Sequence, residues 1–237
     1  MTEIFQDYKG GDITSEAFIA YEGEGKKPAV LISHAWAGQG DFDQNIARNL
    51  AKLGYVGIAI DVYGKGVRGN PAGDNSHLMM PLVEDRAKLL GRLTGALNFA
   101  QGLNIVDKNK IAIIGFCFGG MCAMDLARSG TDEIKAAISF HGLFYPNGLD
   151  NEGDIKAKVL ACHGFNDPLA LPDAMVDWCK EMTSRNADWQ LHAFGGTSHA
   201  FTNPHAKNHD AGLVYNEKSA KRAFALMEAH LKEAFAD

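Results

Sequence analysis

No run of 18 consecutive apolar residues occurs in the sequence, so no ordinary membrane-spanning helix is expected. Basic blocks are absent too. Lys plus Arg number 23 against 29 Asp plus Glu, a net charge of −6, which argues against an electrostatic footprint for nucleic acid. Cysteine is sparse: Cys117, Cys122, Cys162 and Cys179, spread over 237 residues, do not make a disulfide framework, and a reducing cytoplasm is the expected setting. The opening residues, Met1 to Gly11, have neither the basic start nor the apolar core of a secretory signal. Repeats, low-complexity tracts and linker-like stretches are lacking, which points to one domain over residues 1–237. What is there is the balance of a globule, 46% hydrophobic and 22% charged. A chain this long buries roughly 70% of its unfolded surface.

Short β-branched runs alternate with longer amphipathic stretches. Strands are predicted at 17–21, 29–33, 56–60, 110–114, 136–140, 159–162 and 189–193, and several are continuously apolar, as strands covered on both faces should be. Helices are predicted at 41–53, 82–100, 118–128, 172–185 and 219–235. This alternation implies an α/β fold with a mostly parallel central sheet flanked by helices on both faces. Ligands of such sheets bind outside the carboxyl ends of the strands, so reactive side chains just after a strand matter most.

Four segments satisfy that condition. Gly115-Phe116-Cys117-Phe118-Gly119-Gly120 lies between a predicted strand and a predicted helix. Its spacing is that of a nucleophile elbow, with Cys in the place more often held by Ser. Glycines two positions either side of Cys117 let the strand and helix backbones pass closely, and the helix N-terminus favours a thiolate. Asp167 stands in the loop His163-Gly164-Phe165-Asn166-Asp167-Pro168, and His199 in Gly195-Gly196-Thr197-Ser198-His199-Ala200-Phe201. Taken singly, Asp167 reads as a turn aspartate, His199 as a surface-loop histidine, and Cys117 as a buried thiol in a Gly-rich turn. Taken together, nucleophile, acid and base follow in the chain order of α/β-hydrolases, each ending a different strand. The fourth segment, Ser33-His34-Ala35-Trp36-Ala37-Gly38, is where that fold supplies one backbone N–H of the oxyanion hole, here assigned to Trp36, with Phe118 after the nucleophile supplying the other. His34 and His163 are read as structural.

With these motifs, together with Asp61-Val62-Tyr63-Gly64 and Ser-His-Ala-Phe at 198–201, the chain resembles the dienelactone hydrolase family over nearly its whole length. The resemblance implies an esterase or lactonase with Cys117 as nucleophile, His199 as base and Asp167 as the acid that orients it. Two positions depart from the family's pattern. Ala35 stands where the founding members carry a Glu that influences the resting Cys, and Asn203 stands where they carry a carboxylate-binding Arg. Arg68 and Arg86 are the candidates for a second such arginine. Without a cationic clamp, bidentate recognition of an anionic lactone is lost.

A set of aromatic and apolar residues, Trp36, Phe144, Tyr145, Phe165 and Phe201, falls at or just beyond strand ends and predicts an apolar pocket for neutral, aromatic esters. The alternatives are an anionic lactone, or a neutral phosphotriester attacked by the same Cys117. The expected partner is a small-molecule ester or lactone, with no nucleic acid and no membrane, bound by a monomer or small homo-oligomer. No cofactor is expected. His205 and His209 lack a third ligand in sequence, so metal catalysis is not expected either.

Overall fold

Gly11, at φ 64°, turns the chain back on itself between β1 (Thr2–Gly10) and β2 (Ile13–Tyr21), which pair antiparallel from Thr2↔Tyr21 to Gly10↔Ile13. A two-residue connection of this kind needs positive φ, which glycine adopts without a steric cost. The computed structural model describes residues 1–149 and 153–236, and the chain divides into two units, residues 1–114 and 115–237.

In the first unit the hairpin is followed by β3 (Lys27–Ser33), α1 (Asp41–Lys52), β4 (Val56–Ala59), α2 (Ser76–Glu84), α3 (Arg86–Gln101) and β5 (Val106–Phe116), whose last two residues pass the division. The strand order is β1-β2-β4-β3-β5, with β3 and β4 parallel and β2 antiparallel to β4. Val30, Leu31, Ile32, Val56 and Ile58 are fully buried, as a strand core covered by helices requires. At Gly57 a side chain would strike the backbone of Ala47, so glycine there lets α1 lie close on β4.

The second unit contains α4 (Phe118–Arg128), β6 (Ala136–Phe140), β7 (Lys158–Gly164), α5 (Pro172–Ser184), β8 (Trp189–Phe194), the short β9 (Lys207–Asn208) and β10 (Leu213–Val214), and α6 (Glu217–Ala236). Strands β6, β7 and β8 are neighbours in that order and parallel. Every residue of α4 is buried. Phe116 stacks on Phe140 at 4.8 Å, and Phe224 of α6 closes on Phe140 at 5.3 Å. No helix among the described residues is long and apolar enough to cross a membrane.

Three differences from the sequence expectation have physical causes. β1 has no counterpart in the sequence expectation, because seven of its nine residues are exposed and its adjacent Ile4 and Phe5 make no alternating apolar pattern. The single helix expected at 82–100 is two helices: Asp85, at φ −114° and ψ 80°, interrupts the pattern and accepts from the Lys88 N–H at 2.9 Å to cap α3. The hairpin of β9 and β10 is too short to show a period.

One buried ion pair ties the second unit together. Arg128 is wholly inaccessible; it donates to both carboxylate oxygens of Glu181 at 2.8 and 2.7 Å, to Asp125 at 3.2 Å and to the Tyr145 carbonyl at 2.9 Å. Replacing only the cation leaves carboxylates in a poorly solvated setting. Arg128→Met is therefore expected to lower the unfolding free energy by roughly 3–5 kcal/mol in urea denaturation. A loss under about 1 kcal/mol, the scale of an exposed pair, would show that this network does not hold the unit.

Candidate active site

Cys117 sits between β5 and α4 at φ 55° and ψ −117°, a conformation that L-residues rarely adopt. Its N–H donates to the Phe140 carbonyl at 3.1 Å, and its carbonyl accepts from Gly120 and Met121 at 2.9 and 3.3 Å. The turn is tight enough that a Cβ at Gly115 would collide with the Gly119 carbonyl, and one at Gly120 would approach Gly142 Cα to 2.8 Å. Gly115, two positions before Cys117, does what the elbow spacing requires, and Gly120 adds a second close approach. The result is a strained, partly exposed thiol at the N-terminus of a buried helix.

Asp167 follows β7 and is fully buried. One carboxylate oxygen accepts from the Leu169 N–H at 2.8 Å; the other meets His199 Nδ1 at 2.6 Å. The loops that carry these two residues are bonded to each other: the Phe165 N–H donates to the Phe194 carbonyl at 3.0 Å, Asn166 N–H to Thr197 at 2.9 Å, and Gly196 N–H to Asn166 Oδ1 at 2.9 Å. The β9–β10 hairpin completes the frame, since the His199 N–H donates to Gly212 at 2.9 Å and its carbonyl accepts from Val214 at 3.0 Å. No motif in the sequence marks this clamp, since β9 and β10 have only two residues each.

Three histidines cluster here, and their surroundings shift their titration in opposite directions. Burial opposes the imidazolium of His199, but the negative charge of Cys117 and the hydrogen bond with Asp167 outweigh it and push its pKa up to about 10. Among the described residues His199 Nε2 is buried without a nitrogen or oxygen acceptor, and the His199 ring is electrostatically coupled to Cys117 as well as to Asp167. His141 and His163 are both held below the ordinary histidine range, chiefly by burial. His163 Nε2 donates to the Ala170 carbonyl at 3.0 Å and lies 3.9 Å from Asp167, so it braces the acid's loop. His141 was not singled out in the sequence, because a histidine before a glycine at a strand end carries no signature.

The residues expected to line a pocket separate into two groups. Tyr145 and Phe165 are about half exposed. Phe144 and Phe201, expected at the mouth, are instead buried: Phe144 packs on His163 at 4.7 Å and Trp178 at 5.4 Å, and Phe201 lies edge-on to His141 at 5.3 Å and against Phe194 at 5.6 Å. Their rings pack behind the histidines. Phe165 faces an apolar groove of about 660 Å³ along α5 and β8 with Met175, Val176 and Leu191; among the described residues its lining includes none of Cys117, Asp167 or His199. Phe118, the first residue of α4, has a fully buried side chain.

In the first unit, the Trp36 carbonyl accepts from the Tyr63 hydroxyl at 3.0 Å. His34 is fully buried, Nδ1 meeting the Ala35 carbonyl at 2.7 Å while Nε2 accepts from the Val62 N–H at 3.2 Å, so it shapes this loop. Arg68 is engaged by Asp61 at 3.1 Å and the Val67 carbonyl at 2.7 Å, and Arg86 is buried at the start of α3. Among the described residues no group of three His, Cys, Asp or Glu side chains could hold a metal ion, His205 and His209 included.

A thiol on a strained strand-to-helix turn, with a histidine oriented by a buried aspartate, defines a cysteine-dependent hydrolase of the α/β-hydrolase fold, its sheet mostly parallel and flanked by helices. A model of the dienelactone hydrolase family matches residues 16–235, and the chain belongs to that family. It is a carboxylic ester hydrolase with a Cys-centred triad. Two solved structures are similar to it over nearly their whole length. One, titled m3DLH, is 32% identical, with a TM-score of 0.93 over 99% of this chain and 98% of the other. The other, the dienelactone hydrolase-like promiscuous phosphotriesterase P91 from metagenomic libraries, is 32% identical, with a TM-score of 0.92 over the same shares. The Caenorhabditis elegans protein K02A2.1 is 35% identical over 158 residues, 65% of this chain and all of its own.

Proposed function

We propose that the enzyme hydrolyses small neutral esters, aromatic ones preferred, through a thioester on Cys117. The observation that carries this is the His199–Asp167 hydrogen bond of 2.6 Å together with the electrostatic coupling of His199 to Cys117. The thiolate sulfur attacks the ester carbonyl, and the oxyanion is received by the N–H of Phe118 and by that of Trp36, the latter assigned from the family's pattern. Each donor is worth about 3–4 kcal/mol in the transition state. His199 gives its proton to the departing alkoxide, then takes one from water, which attacks the thioester and frees the acid and the thiolate. Asp167 holds the imidazole tautomer throughout. The whole cycle belongs to one domain of residues 1–237, working in the cytoplasm as a monomer or small homo-oligomer. The four free thiols support a reducing setting.

The preference for neutral substrates rests on the arginines. Arg68 is already engaged by Asp61, and Asn203 stands where the founding family members carry a carboxylate-binding arginine. Tyr145 and Phe165 leave aromatic surface exposed. A neutral phosphotriester is a second substrate class, favoured by the likeness to P91: sulfur bonds to phosphorus as the aryloxide leaves with the His199 proton, then water gives a proton to His199, attacks phosphorus and breaks the P–S bond, freeing the phosphodiester and the thiolate. The test is kcat/KM for a neutral aryl acetate, an anionic dienelactone and an aryl phosphotriester with one preparation. The acetate should exceed the lactone by about tenfold or more, the worth of a missing charged hydrogen bond. A preference for the lactone would overturn the neutral-ester reading, and a triester rate equal to the uncatalysed one would remove the second class.

A further inference from the structure

His141 occupies a position that packing alone does not account for. It follows β6 at φ 39°, in the left-handed region that a β-carbon disfavours, and its N–H donates to the Cys162 carbonyl at 2.8 Å. Its side chain is 3% exposed. Nε2 is bonded to the Thr202 hydroxyl at 2.8 Å, while Nδ1 is buried with no hydrogen-bond partner among the described residues. Leaving a polar atom so placed is costly, and a phenylalanine would fill the same space without that penalty. The ring meets His199 with centroids 5.0 Å apart at 66°, and Phe201 supports it from another side at 5.3 Å.

We infer that His141 is a positioning residue for the Cys117–His199 pair, a neutral aromatic ring held by Thr202 against the His199 imidazolium so that the cation is both oriented and stabilised. This rests on the assignment of Cys117 and His199 proposed above. A cation over the face of an aromatic ring, within about 6 Å of its centroid, is attracted to its π system, more strongly when water is excluded, and the 5.0 Å spacing of the two rings is within that reach. The charges around His141 enforce its role. His199 and His163 both face it, and burial with these two neighbours holds its own ring neutral; His199 in turn faces Cys117 and Asp167, which keep it cationic. A second proton on His141 would set two cations edge to face, so the cluster carries its positive charge on His199. Stabilising that cation stabilises its partner thiolate.

The experiment reads the thiolate directly, through the rate of Cys117 alkylation by iodoacetamide across pH, with Cys117→Ala as the blank for the other thiols. His141→Phe and His141→Leu are each made with Thr202→Val, so that no hydroxyl is stranded, and Thr202→Val alone is the reference. The phenylalanine variant keeps a ring beside His199 and should alkylate within about twofold of the reference, whereas the leucine variant should alkylate about tenfold more slowly at pH 7, with the acidic limb of its profile moved to higher pH. Thermal unfolding verifies the fold, and His141→Gln in the same background replaces the leucine variant should that chain not fold. Equal profiles for the reference, ring-containing and ring-free variants would overturn the role of His141. If instead the unmodified enzyme shows no rapid alkylation that Cys117→Ala removes, the nucleophile assignment itself fails, a result distinguishable from the first.

Discussion

Cys117→Ala lowers ester turnover by about 10⁴-fold or more, to what binding and the oxyanion donors supply without a nucleophile. The magnitude follows from the chemistry: with no sulfur there is no thioester, and His199 is left to act on water that nothing positions. The effect on stability is small. Alanine keeps the β-carbon that the φ of 55° already accommodates, and the backbone bond from residue 117 to Phe140 does not involve the side chain. The measurement is kcat for an aryl acetate beside the thermal unfolding midpoint. Retention of more than about one hundredth of the wild-type rate in a folded protein would remove Cys117 as nucleophile.

Much of this site could be read before any coordinates because its parts are punctuated. Cys117, Asp167 and His199 each follow an apolar run that ends in a glycine-containing turn, and strand ends are what hydrophobic patterning locates best. The expected strand at 136–140 and helix at 118–128 coincide with β6 and α4, since both are buried throughout. Where the chain faces solvent or the element is short, the pattern fails: β1 is mostly exposed and β9 and β10 have two residues each. Direction was illegible too. Phe144, Phe201 and Tyr145 all follow strands, yet two back the histidines and one reaches solvent, a choice made by neighbours distant in sequence such as Trp178 for Phe144 and His141 for Phe201. His141 was hidden for the same reason: its importance lies in contacts with Thr202 and His199, about sixty residues away.

Asp167→Asn produces the second large loss, about 10³-fold in kcat, with an altered pH profile that separates it from simple destabilisation. The carboxylate accepts the Nδ1 proton of His199 at 2.6 Å and so directs Nε2 towards proton transfer with the thiol and the leaving group. An asparagine amide can turn its NH₂ to Nδ1 instead, which puts the imidazole proton on the wrong nitrogen. The charge matters separately. His199 is pushed up to about 10 despite its burial because Cys117 and Asp167 both favour its cation. Removing one of the two moves the imidazolium's deprotonation to lower pH, so the alkaline limb of ester turnover should shift downwards while the fold, still clamped by Gly212 and Val214 at the His199 backbone, persists. An Asp167→Asn enzyme with a reduced kcat but an unshifted alkaline limb would mean that Asp167 orients His199 without contributing to its charge. One with nearly full kcat would mean that the Asp167 carboxylate is not needed to hold the Nδ1 proton of His199 during turnover.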